Sequence, residues 1–146
     1  HARFDATERG YIYCLHQVKN PFAENTSLFY PHNLNVELMN QAASRFLEIE
    51  DFASFCKSNH GHYTTLCKVT HAKWEAHKEG LVFTIKANRF LRNMVRAIVG
   101  TLLEVGRGRM SLAEFEKVLS AQNRSAAGTS VAPSGLYLNH VKYPYV

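Results

Sequence analysis

Aspartate is nearly missing from this chain of 146 residues; only Asp5 and Asp51 occur. Acid–base chemistry by paired aspartates is therefore poorly supplied, and Asp51 is better explained as the cap of a short turn, DFASF. Three cysteines (Cys14, Cys56, Cys67) are an odd number without framework spacing, which argues against a secreted disulfide scaffold and for reduced thiols in a cytoplasm. No apolar run approaches the roughly 18 residues of a membrane span, and there is no signal-peptide core. G-x-S-x-G, P-loop and H-E-x-x-H patterns are all missing, so no familiar hydrolase or nucleotide site is visible.

What is present describes one globular α+β domain. Hydrophobic residues make up 46% and charged residues 20%, enough to bury a core without staples. Lys plus Arg outnumber Asp plus Glu by 17 to 12, and the resulting charge of +5 favours anionic partners such as nucleic acid.

The segment Leu81 to Met110 organises the rest. Leu81, Phe83, Ile85 and Ala87 alternate with Val82, Thr84, Lys86 and Asn88 at the two-residue period of a strand. Near Phe90 the period changes, and Leu91, Met94, Val95, Ile98 and Leu102 recur as one face of a helix. On that helical reading Arg89, Arg92 and Arg96 form one row, a cationic edge suited to phosphate or carboxylate. The plainer reading is a solvated basic face. Gly100, one turn beyond Arg96, costs the helix about 1 kcal/mol relative to alanine, which suggests that something comes close there.

Elsewhere, residues 9–18 read as a strand with Arg9, Tyr11, Tyr13 and Leu15 on one face. Residues 21–33 show no period. Asn35 is a plausible N-cap for a helix whose stripe is Leu38, Met39, Ala42, Ala43, Phe46 and Leu47. Residues 67–76 form a second strand, folded onto 81–88 through Lys78-Glu79-Gly80. Ser111-Leu112-Ala113-Glu114 is a capping box opening a helix with Leu112, Phe115, Val118 and Leu119 inward. A small-residue loop, 124–134, leads to a last strand at 135–143. Strand, helix, hairpin, helix, strand is the split βαβ order of ferredoxin-like folds, predicting a four-stranded antiparallel sheet with helices on one face.

Cys56, His60, His62 and Cys67 have the ligand types of a zinc site, but C-x3-H-x-H-x4-C is not a usual spacing, and a polar loop is the simpler account. Tyr11 and Tyr13 are either half-buried sheet residues or a stacking platform for a nucleobase, and periodicity does not choose. The hairpin strand lacks the glycine–aromatic signature of an RNA-recognition module.

Three stretches in order, HARFDATERGYIY, KANRFLRNMVRAIVGTLLEVGRG and VAPSGLYL, resemble the C-terminal domain of the tRNA pseudouridine synthase A family. The resemblance implies an RNA isomerase that breaks the uridine N-glycosidic bond and rejoins the base through C5, acting in the anticodon arm of tRNA (positions 38 to 40), in the cytoplasm, without metal or organic cofactor. It implies that Tyr11 stacks on the target base and helps remove the C5 proton, and that Arg96 pairs with a nucleophilic aspartate. It puts Gly135 and Leu136 beside the uracil, with Leu136 as its apolar wall, while Arg89, Arg92 and Lys86 are the candidate phosphate contacts. The family's aspartate lies in a G-R-T-D-A-G-V-H loop that this sequence lacks. The expectation is thus a fragment that supplies one wall of the site, is inactive without the N-terminal half, and self-associates, with a homodimer as the natural assembly. A non-catalytic ferredoxin-like RNA-binding module is the alternative.

Overall fold

A computed structural model describes residues 7–23, 25–57, 61 and 63–143. Strand β1 (Glu8–His16) is followed by a two-residue strand β2 (Leu28–Phe29), helix α1 (Val36–Ser44), the hairpin β3 (Val69–His77) and β4 (Gly80–Ala87), helices α2 (Met94–Gly106) and α3 (Leu112–Ala121), and strand β5 (Leu136–Lys142). The four long strands are antiparallel in the order β3-β4-β1-β5. That order, with the α+β succession, is the expected ferredoxin-like arrangement. The sheet has five strands, not four. Leu28 and Phe29 run parallel to Leu15 and His16, filling the part of the β1 edge that β5 leaves uncovered.

Alternation sorts the sheet faces. Tyr13 and Leu15 of β1 are buried opposite Phe83 and Leu81 of β4, and Trp74 of β3 lies on Phe83 with ring centroids 5.0 Å apart. This face shares one core with Met39, Ala43, Ile98 and Leu102 of the helices. Asn35 caps α1 by accepting from the Leu38 amide at 3.1 Å. Met39, Ala42, Ala43 and Phe46 are buried as expected, but Leu47 is exposed. The chain tightens to a 3-10 turn at Arg45–Leu47, and three residues per turn carry Leu47 off the buried stripe. Ser111 and Glu114 exchange both bonds of the capping box.

The outer edge of β3 is engaged by a side chain. Asn40 of α1 donates to the Trp74 carbonyl at 3.1 Å and accepts from the Trp74 amide at 2.7 Å, as a neighbouring strand would. Among the described residues β5 pairs only with β1, so its other edge carries no strand.

The greatest departure from the sequence reading is the start of α2. The helix begins at Met94, because Asn93 takes a left-handed conformation (φ 69°) that a helix interior does not admit. Arg89 and Arg92 precede it in irregular backbone, so the three arginines do not form one helical row. Nor is α2 amphipathic: nearly every side chain from Met94 to Gly106 is buried.

Candidate active site

What covers the outer side of α2 is the loop 127–132. Gly100 presents no side chain to it, and a Cβ there would sit 1.8 Å from the Thr129 carbonyl oxygen. The close approach suggested by a glycine inside a helix is therefore a backbone crossing. Thr101 Oγ1 accepts from the Gly128 amide at 2.9 Å, and Asn93 Nδ2 donates to Ser130 Oγ at 2.6 Å. Arg124 also donates to Ser130 Oγ, at 2.8 Å, and to the Gly128 carbonyl at 2.9 Å. Val131 and Arg96 bond twice. The Val131 amide donates to the Arg96 carbonyl at 3.1 Å, and Arg96 Nε donates to the Val131 carbonyl at 2.7 Å.

One residue on, the Ala132 carbonyl accepts from the Tyr13 hydroxyl at 2.5 Å. Burial pushes the Tyr13 phenol up to about 12, against a smaller opposing pull from Arg96, so this hydroxyl stays protonated and donating. The loop then turns through Pro133–Gly135 into β5. Gly135 is buried behind that turn, where a Cβ would lie 2.4 Å from the Cys14 carbonyl oxygen and 3.0 Å from the Tyr13 ring.

These constraints leave a cleft of about 350 Å³ between β1, the entry to α2 and the start of β5. Tyr11, Phe90, Arg92, Arg96 and Leu136 line it, with Asn93 and Lys57. Tyr11 stands edge-on to Phe90, with centroids 5.0 Å apart and planes at 88°. The pairing of β1 with β5 shifts register between Gly10 and Tyr11, where Asn139 of β5 is the extra residue, while β1 keeps its regular register against β4. Arg96 is half-buried, and its bond to Val131 uses only Nε–H, leaving the terminal nitrogens for a planar two-oxygen partner. Three cationic side chains and no carboxylate line the cleft among the described residues. Its charge suits an anionic group, and its aromatic and apolar walls suit a flat ring.

Three residues predicted for the site thus meet in it: Tyr11, Arg96 and Leu136, and Arg92 joins them. The other predicted contacts do not line it. Arg89 is turned away, donating through Nη1 to the Leu66 carbonyl at 2.9 Å and to the Thr64 carbonyl at 3.2 Å. Lys86 pairs with Gly10 and His71, and alternation with buried Ile85 sends its side chain to the opposite face of the sheet. Gly135 supports the wall from behind. Sequence reasoning missed Lys57, Phe90 and Asn93. Phe90 lay inside the quoted motif, whereas Lys57 comes from a stretch with no period and nothing announced it.

Of the candidate zinc ligands, His60 and His62 lie outside the described residues. Cys56 and Cys67 are buried in the core, where desolvation raises both thiols, Cys67 to about 11. No group of three metal-ligating side chains is found among the described residues. Among them, too, no helix is long and apolar enough to cross a membrane.

A family profile described as tRNA pseudouridine synthase matches residues 42–144, more than half of the chain. The chain belongs to that family. It is 49% identical over 145 residues to the tRNA pseudouridine synthase A of Bacteroides fragilis, covering 99% of this chain and 58% of that protein. The enzyme of the same name from Bacteroides thetaiotaomicron is 48% identical over 147 residues (99% and 55%), and that from Bacillus pumilus 37% over 147 residues (98% and 59%). The chain thus spans a little over half the length of the curated relatives it matches.

Proposed function

We propose that this chain forms the base-holding wall of a tRNA pseudouridine synthase acting on uridines of the anticodon arm. One observation carries the reading: Tyr11, Arg96 and Leu136, brought from β1, α2 and β5, line one cleft with an aromatic face, a guanidinium and an apolar wall. An extruded uracil rests between Tyr11 and Leu136, and Arg92 and Lys57 meet the flanking phosphates. Arg96 holds a nucleophilic carboxylate in its ionised, oriented form through paired N–H···O bonds. That carboxylate comes from an N-terminal half beyond this chain, in keeping with the acid-free lining of the cleft among the described residues.

In the reaction the N1–C1′ bond breaks, the base turns, and C5 bonds to C1′. The C5 proton leaves with help from Tyr11 and a proton is returned at N1, so the product is an isomer. Side chains supply all of this chemistry, without a cofactor. RNA as substrate and three thiols outside any disulfide fit the cytoplasm. The strand-free edge of β5 offers a second copy or the N-terminal half a place to join.

The test is tritium release from tRNA labelled at uridine C5, comparing this chain with the longest protein its reading frame encodes. Release by the longer protein alone, lost in Tyr11→Phe, supports the reading. Release by this chain itself would overturn the placement of the nucleophile, with Asp5 the first suspect. Silence from both, with RNA binding that falls steeply with salt, would favour a non-catalytic binding module.

A further inference from the structure

Two successive carbonyls of the loop 127–132 accept from two different walls of the molecule. Val131 takes the Nε–H of Arg96 at 2.7 Å, and Ala132 takes the Tyr13 hydroxyl at 2.5 Å. Tyr13 itself is fully buried, and its ring packs against the backbone of Gly135. It sits one strand pair from Tyr11, on the same sheet face, with β5 alongside both. The hydroxyl therefore fixes the segment that aims Arg96 at its entry and Leu136 at its exit.

From this geometry we infer that Tyr13 is a positioning residue for the isomerisation, acting through the Val131–Ala132 backbone on the orientation of the Arg96 guanidinium. The inference rests on the reading of the cleft given above. Arginine reaches a carboxylate bidentately only when the plane of its fork is set, and Nε–H lies in that plane with the four N–H of the terminal nitrogens. A carbonyl held at 2.7 Å sets it, and a carbonyl free to turn does not. The ties at the far end of the loop, Gly128 to Thr101 and Arg124 to Gly128, do not involve Arg96.

The test compares Tyr13→Phe, which keeps the ring and removes the bond to Ala132, with Thr101→Val, which removes the bond to Gly128. Both are made in the longest protein the reading frame encodes. Two quantities are read: kcat and KM for tritium release from C5-labelled tRNA, and solvent exchange of the Arg96 Nε–H by nitrogen-15 NMR, with Arg96→Lys to assign the signal. Tyr13→Phe is expected to speed that exchange at least tenfold and to lower kcat about tenfold to a hundredfold, with KM within about twofold. Thr101→Val is expected to lower the melting temperature but leave both the exchange and kcat near the parent's. Unchanged Nε–H exchange in Tyr13→Phe, or a kcat loss matched by Thr101→Val, overturns the inference. If the parent protein releases no tritium, the isomerase reading fails, and the exchange measurement still decides whether Tyr13 orients Arg96.

Discussion

Replacing Gly100 with alanine sets two well-known effects against each other. In the interior of α2, alanine is favoured over glycine by about 1 kcal/mol, because glycine loses more backbone freedom on folding. The added methyl, however, would stand 1.8 Å from the Thr129 carbonyl oxygen, where real Cβ contacts do not fall below 3.0 Å. The obstacle is backbone, so no rotamer change relieves it, and the loop must retreat by more than an ångström. Such a shift exceeds the tolerance of the bonds on either side: Gly128 to Thr101 at 2.9 Å, and the double tie between Val131 and Arg96 at 2.7 and 3.1 Å. Each is worth about 1 kcal/mol net. Three lost bonds against one gain in propensity give a net destabilisation of roughly 2 kcal/mol. Urea unfolding of the full-length protein measures it, read as a lower midpoint at unchanged slope. A Gly100→Ala protein that is more stable than its parent would refute the argument, since propensity would then be acting with no loop in the way.

Three further outcomes are expected. Asn40→Ala should cost about 2 kcal/mol, since both backbone groups of Trp74 lose their partner, and hydrogen exchange at the Trp74 amide should accelerate; unchanged exchange would mean the edge is held otherwise. Gly135→Ala forces the turn off the Cys14 carbonyl and displaces Leu136, so tritium release should fall further than thermal stability does, which parallel activity and melting assays would show. The Cys67 thiol, raised by burial from 9.0 to about 11, favours the fold while it is protonated. That contribution is complete below pH 9 and is lost toward 11, so iodoacetamide at pH 8 should label half-buried Cys14 before Cys67, as peptide mass spectrometry would reveal.

Much of the fold could be read from periodicity because the sheet has one face on the core. β4 alternates cleanly, and β1 turns Tyr13 and Leu15 to the same side, since these two and Leu81, Phe83 and Ile85 all have to reach the same interior. β2 escaped because two residues carry no period; the backbone edge of β1 pairs them, Leu28 packs on the core and Phe29 stacks on His16. The arginine row was an accident of spacing: Arg89, Arg92 and Arg96 fit a helix, but the helix cannot extend through a left-handed Asn93, and nothing in the local pattern reveals that φ. The two tyrosines illustrate the limit at the site. Alternation puts Tyr11 and Tyr13 on one face, yet only their neighbours, Phe90 and Leu136 for the first and the Ala132 carbonyl for the second, make one a cleft residue and the other a brace. The resemblance to a known family put Tyr11, Arg96 and Leu136 forward, and the structure brings them to one cleft, whereas it sends Lys86 and Arg89 elsewhere.

The Asn40 amide has a consequence for assembly. Growth of a sheet from molecule to molecule needs two docking sides per chain, one to give and one to receive. Here the β3 side is engaged by a side chain at Trp74, whereas the outer side of β5 carries no strand among the described residues. A sheet extended through the β5 side alone would end with the first added strand. One carboxamide thus makes the β3 side, at Trp74, a poorer template than the β5 side for a strand from another molecule.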